Sequence, residues 1–181
     1  MISKQLQTIP THTPGVYCMY DLDEEPAYVG KSGDLRSRLR QHFIRQDSSV
    51  VSYGRLDIWD IASVDWWEAT NTDRAEIALI SEFNPYLNFE SDMTTLSDTI
   101  DAHSPDGTMK LISEEEQEFR SDPYHRSKQK LEHLLRMIDK IKLAGHSDDT
   151  KKTLKQHQRI FSENVAEFLD VEPMDEFDGH N

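Results

Sequence analysis

The chain has 181 residues, 36% of them hydrophobic, with 20 Lys and Arg against 34 Asp and Glu and a formal net charge of -14. That length supports one domain of ordinary size, or a small domain with an appendage, without a disulfide or metal staple. The longest unbroken apolar run, Val16 to Tyr20, is far too short to cross a membrane, and the single cysteine, Cys18, rules out an internal disulfide or a thiolate zinc cluster.

Residues 14–32 predict a β-hairpin. Two stretches rich in aromatic and β-favouring residues, PGVYCMYDL and PAYVGKS, flank the turn-forming Asp-Glu-Glu before Pro26. Asp34 is placed to start a helix that presents Leu35, Leu39, His42 and Phe43 on one face. Residues 46–53 read as a loop. Residues 54–70 read as one or two strands, with three tryptophans for the core. Thr72 or Asp73 can cap a further helix to about Phe83, which leaves Glu76 among apolar neighbours and ends at Asn84-Pro85. These segments make an α/β (α+β) domain over 1–92.

Residues 93–122 are polar and acidic and read as a surface linker with a short helix near Leu111. Asp122-Pro123 opens a helix carrying Leu131, Leu134, Ile138 and Ile141, and Gly145 closes it. A second helix follows Ser147 and carries Leu154, Phe161, Val165 and Phe168. Residues 123–170 therefore read as a helical hairpin with an apolar seam wider than two helices can bury, to be covered either by the domain over 1–92 or by a second copy in a homodimer. Residues 171–181 are an acidic tail, expected to be disordered. The N-terminus lacks the apolar core of a signal peptide, and a cytoplasmic location is expected.

Charge is spread unevenly. Residues 1–90 carry a net -6 and residues 91–181 a net -8, so the appended half is acidic. Between Lys31 and Arg45, however, stand Lys31, Arg36, Arg38, Arg40 and Arg45 with one acid, Asp34. Such a stripe can hold a phosphate on an otherwise acidic protein. Phosphodiester hydrolysis needs a base for water, a cation at the phosphate and help for the leaving oxygen. Tyr17, Tyr28, Lys31, Arg38, His42 and Glu76 offer these groups. Each has a plainer reading, a core tyrosine or a solvated arginine among them.

Their order is more specific than any one of them. Gly15-Val16-Tyr17 followed by Tyr28-Val29-Gly30, then Lys31, the Arg38-x-x-x-His42 unit, Glu76 and Pro85-Tyr86-Leu87-Asn88, resembles the GIY-YIG nuclease superfamily over residues 13–88. The resemblance implies a three-stranded antiparallel sheet flanked by helices. It implies a metal-dependent DNA endonuclease with one active site. Glu76 would be the metal ligand for one divalent ion, Mg²⁺ or Mn²⁺. Arg38 would neutralise the phosphate, and Tyr17 or Tyr28 would activate water with help from Lys31. His42 would relay a proton, and Asn88 would hold the hydrogen bonds together. Arg36, Arg40 and Arg45 are left to bind nucleic acid. Helix-hairpin-helix repeats and zinc cysteines, found in some relatives, are missing from this sequence. The alternative is a catalytically silent nucleic-acid or protein interaction module on the same fold.

Overall fold

A computed structural model describes residues 2–89 and 100–173, which fall into two compact units, Met1–Gln117 and Glu118–Asn181. The first unit opens with a short helix, α1 (Ile2–Gln5). The predicted hairpin follows as β1 (Gly15–Asp21) and β2 (Pro26–Ser32), antiparallel, with Tyr17 opposite Gly30 and Met19 opposite Tyr28. Asp21 builds the turn between them. Its Oδ1 accepts from the backbone N–H groups of Asp23 at 2.9 Å and Glu25 at 3.0 Å.

Helix α2 (Leu35–Arg40) starts as expected at Asp34, whose carboxylate accepts from the Ser37 N–H. It then widens into a π turn over Gln41–Arg45. The predicted loop at 46–53 contains one short helix, α3 (Ser49–Ser52). Of the one or two strands expected over 54–70, one forms, β3 (Ile61–Glu68), and it pairs with the free side of β1. Helix α4 (Thr72–Phe83) is capped by Asn71, one residue ahead of the predicted cap, and its exit at Asn84 takes a left-handed φ of 46°.

The sheet has a fourth strand, which corrects the three-stranded expectation. β4 (Gly107–Lys110) pairs antiparallel with β3 and gives the order β2-β1-β3-β4. It lies in the segment expected to be a linker. Four residues, only Met109 of them buried, are too few to show a strand period against acidic surroundings. Thr108 Oγ1 secures the pairing by donating to Asp65 Oδ1 at 2.5 Å. Helix α5 (Glu114–Ser121) begins three residues beyond Leu111.

Side-chain alternation along β1 builds two cores. Tyr17 and Met19 join Leu35, Leu39, Phe43 and Trp66 on one face of the sheet. Val16 and Cys18 join Trp67, Ala75 and Leu79 on the other. Helices α2 and α4 thus cover opposite faces, and Arg38 of α2 and Glu76 of α4 reach the sheet from different sides.

In the second unit, α6 (Pro123–Ala144) and α7 (Asp148–Leu169) form the expected helical hairpin. Asp122 and Ser147 cap them as predicted, and Ser147 forms a capping box with Thr150. The apolar phase differs from the expectation. Leu134 and Met137 are buried, but Leu131 and Ile138 are about half exposed, and Lys130, His133 and His157 are buried instead. Lys130 Nζ lies 3.5 Å from His157 Nδ1, and the His133 and His157 rings are 4.5 Å apart. Residues 123–170 carry ten Lys and Arg against seven Asp and Glu, so the acid excess of the appended half lies outside this hairpin. The predicted tail lies outside the described residues from 174 on.

Candidate active site

The two glycines of the tripeptide motifs have separate steric reasons. A Cβ on Gly15 would overlap the Trp67 carbonyl of β3 and come within 2.7 Å of Leu35 Cδ1. A Cβ on Gly30 would sit 2.5 Å from the Tyr17 hydroxyl oxygen and 3.0 Å from Tyr28 Cε1. Gly15 lets β1 approach α2 and β3, and Gly30 leaves room for both tyrosine rings. Those rings stand 6.4 Å apart, centre to centre, on the α2 face.

The tyrosines are held differently. Tyr17 is buried, and its hydroxyl lies 2.7 Å from His42 Nε2. His42 is buried too, and its Nδ1 lies 2.8 Å from Ser48 Oγ. Tyr28 is half-buried, and among the described residues its hydroxyl has no protein partner. Burial raises the pKa of both. For Tyr17, Tyr28 and Glu76 add to the rise and Arg38 opposes it, leaving it well above the ordinary value. For Tyr28, Glu76 adds to the rise, while Arg55, Arg38 and Lys31 oppose it. Tyr28 therefore feels the field of three cations.

Arg38 lies half-buried on α2 and has no carboxylate partner among the described residues. Its guanidinium is close enough to act on Tyr17, Tyr28 and His42. On the other side, Lys31 Nζ donates to Glu76 Oε2 at 2.6 Å and pairs with Asp73 Oδ1 at 2.9 Å. Both carboxylates hold the Lys31 pKa up, chiefly through these hydrogen bonds. Asn88 lies along β2, the outer strand: its Oδ1 accepts from the Val29 N–H and its Nδ2 donates to the Val29 carbonyl, each at 2.9 Å. It pairs with the exposed edge of the motif strand as another strand would.

The remaining arginines separate from the cluster. Arg36 is spent on architecture, its Nε donating to the Ile9 carbonyl at 2.6 Å and its Nη2 to that of Gln7 at 2.9 Å. Arg40 and Arg45 are exposed. Three residues had no signal strong enough to single them out. Ser48 stands in the stretch 46–53, which reads as a loop. Asp73 offers itself only as an alternative to Thr72 for a helix cap. Arg55, whose guanidinium carbon lies 5.4 Å above the Phe89 ring, stands in the stretch 54–70 read as strand.

Among the described residues no three His, Cys, Asp or Glu side chains cluster to hold a metal. Glu76 offers one carboxylate. Lys31 engages one of its oxygens, and the other has no protein donor among the described residues. A single carboxylate completed by water and substrate phosphate is a donor set that Mg²⁺ accepts.

A family model for the UvrC-like GIY-YIG domain matches residues 13–89. Those residues belong to the GIY-YIG superfamily. The domain is 36% identical over 90 residues to UvrABC system protein C of Caldicellulosiruptor saccharolyticus, a stretch covering 48% of this chain and 15% of that protein. It is 40% identical over 79 residues to the protein of that name from Vibrio parahaemolyticus, covering 44% and 12%. A 42-residue stretch is 55% identical to the Finegoldia magna protein, covering 23% and 7%. The chain thus matches less than a sixth of the length of these relatives. Among the described residues no helix is long and apolar enough to cross a membrane.

One property of the GIY-YIG domain is measurable without substrate. Burial first, and Arg38 second, push His42 down to about 4. As pH falls below about 6.5, the unfolded chain protonates His42 while the folded chain does not until about pH 4. Stability is therefore lost across that window as pH falls, by on the order of 3 kcal/mol from this group. Urea unfolding at several pH values reads it. His42→Gln should flatten the slope there, and an unchanged slope would remove His42 as its source.

Proposed function

We infer that residues 13–89 hydrolyse phosphodiester bonds in DNA at a single metal-dependent site. The observation that carries this reading is Arg38, a half-buried guanidinium without a carboxylate partner among the described residues, beside two tyrosines. A cation kept in such surroundings is poised for an anion brought by a ligand, and a guanidinium matches the oxygens of a phosphate.

In this reading Arg38 stabilises the negative charge that builds on the phosphate. Tyr28, whose hydroxyl has no protein partner among the described residues, orients the attacking water, and it takes the water's proton only after giving its own to solvent, a loss that Arg55, Arg38 and Lys31 favour against burial and Glu76. Tyr17 keeps its proton, is fixed by His42, and donates to a phosphate oxygen. Lys31 steers the Glu76 carboxylate and is itself held by Asp73. Glu76 would hold the divalent ion, Mg²⁺ or Mn²⁺, through the oxygen that Lys31 leaves free. The ion, when bound, supplies Lewis-acid charge at the phosphate. Asn88 acts through the strand edge it satisfies, and Arg55 adds a cation beside Tyr28.

The test uses the full chain with supercoiled, branched and single-stranded DNA, Mg²⁺ or Mn²⁺, and a chelator control. Cleavage that the chelator abolishes supports the reading. Binding without cleavage supports the interaction module instead. Pairing of two copies through the hairpin, suited to the half-exposed Leu131, Leu135 and Ile138, is read by light scattering: a dimer mass supports it and a monomer mass at tens of micromolar removes it.

A further inference from the structure

We propose that Ser48 is a positioning residue of the site: its hydroxyl donates to His42 Nδ1, which fixes the ring proton on Nε2, and that N–H donates to the Tyr17 oxygen and leaves the Tyr17 proton for a substrate oxygen. The proposal rests on the nuclease reading for the last link only.

Ser48 occupies the N-cap of α3, where a serine side chain normally accepts from the first helical N–H groups. It makes no such bond. Its backbone carbonyl receives Val51 and Ser52 N–H, while the hydroxyl turns 2.8 Å from His42 Nδ1. The side chain has forgone the local cap for the imidazole. Ser48 and His42 are both almost fully buried, at 4% and 1% exposure, so water does not readily substitute for either partner.

The chain Ser48–His42–Tyr17 has two consistent proton arrangements. If Nδ1 carries the proton, it donates to Ser48, Tyr17 donates to Nε2, and the Ser48 proton is left without an acceptor among the described residues. If Nε2 carries it, Ser48 donates to Nδ1, and the proton left over is that of Tyr17. A buried hydroxyl proton without an acceptor is costly, because its desolvation is not offset. In the first arrangement that cost falls on Ser48, which the His42 ring separates from Tyr17. In the second it falls on the hydroxyl beside Arg38, where an anionic substrate supplies the acceptor. The second arrangement also fits a neutral His42, which burial and Arg38 maintain. A serine three residues beyond the π turn thereby decides whether Tyr17 gives or receives a hydrogen bond.

Two-bond ¹⁵N–¹H correlation spectra of the full chain report the tautomer directly, without substrate. Wild type should show His42 protonated at Nε2. Ser48→Thr, which keeps the hydroxyl, should keep that tautomer and cleave within about twofold of wild type. Ser48→Ala should lose the tautomer preference and cleave roughly tenfold more slowly. Protonation at Nδ1 in wild type, or an unchanged Nε2 tautomer in Ser48→Ala, would overturn the proposal. If Ser48→Ala does not fold, the wild-type and Ser48→Thr spectra decide. Absence of cleavage by the wild type would remove the nuclease reading while leaving the tautomer readable.

Discussion

Glu76→Gln is expected to lower the cleavage rate by about two to three orders of magnitude while leaving the fold intact. Gln keeps the size of the side chain and a carbonyl oxygen for Lys31, but it removes the charge that a divalent ion needs. The cost to stability should be small. Lys31 and Glu76 are 43% and 20% exposed, and Lys31 keeps Asp73. A pair this accessible contributes under about 1 kcal/mol. Thermal unfolding and single-turnover cleavage, measured on the same preparation, separate the two effects. Wild-type cleavage by Glu76→Gln would remove Glu76 as the metal ligand.

Arg38→Lys should cost nearly as much, about a hundredfold in rate, with binding only modestly weaker. Lysine keeps the charge but loses the planar fork that meets two phosphate oxygens at once, and its shorter reach draws the charge back from Tyr17, for which Arg38 is the cation that opposes the rise in pKa. Neighbouring arginines provide the control. Arg40→Lys changes an exposed cation and should leave the rate near wild type. Arg36→Lys breaks two bonds to the Gln7 and Ile9 carbonyls, so its effect should appear in stability rather than in the rate. Equal rate losses at all three positions would reduce Arg38 to one charge among several.

The parts of this protein that sequence made legible are those set by local chemistry. Asp34, Asp122 and Ser147 cap helices where they stand, and the hairpin turn falls on Asp23-Glu24-Glu25, where Asp21 accepts from the Asp23 and Glu25 N–H groups. The ordered motif exposed Tyr17, Tyr28, Arg38 and Glu76 because each lies at a fixed distance along strands and helices. What stayed hidden depends on which distant residue arrives beside which. Ser48 stands in a stretch that reads as a loop, and only the position of His42 gives its hydroxyl a partner. Arg36 stands in the same basic run as Arg38, yet the N-terminal segment returns to occupy it. β4 is too short to show a period, and its place is decided by the free edge of β3. In α6 the burial of Lys130 and His133 in place of Leu131 and Ile138 rotates the helix away from its apolar periodicity, with His157 of α7 meeting both buried side chains.

A time course on supercoiled plasmid with the full chain and Mg²⁺ tests the central claim most directly. One metal-dependent site cuts one strand at a time, so nicked circles should accumulate before linear DNA appears, and chelator or Glu76→Gln should stop both. Supercoiled plasmid that stays intact with Mg²⁺ and Mn²⁺, or cleavage that continues under chelator, would contradict the account.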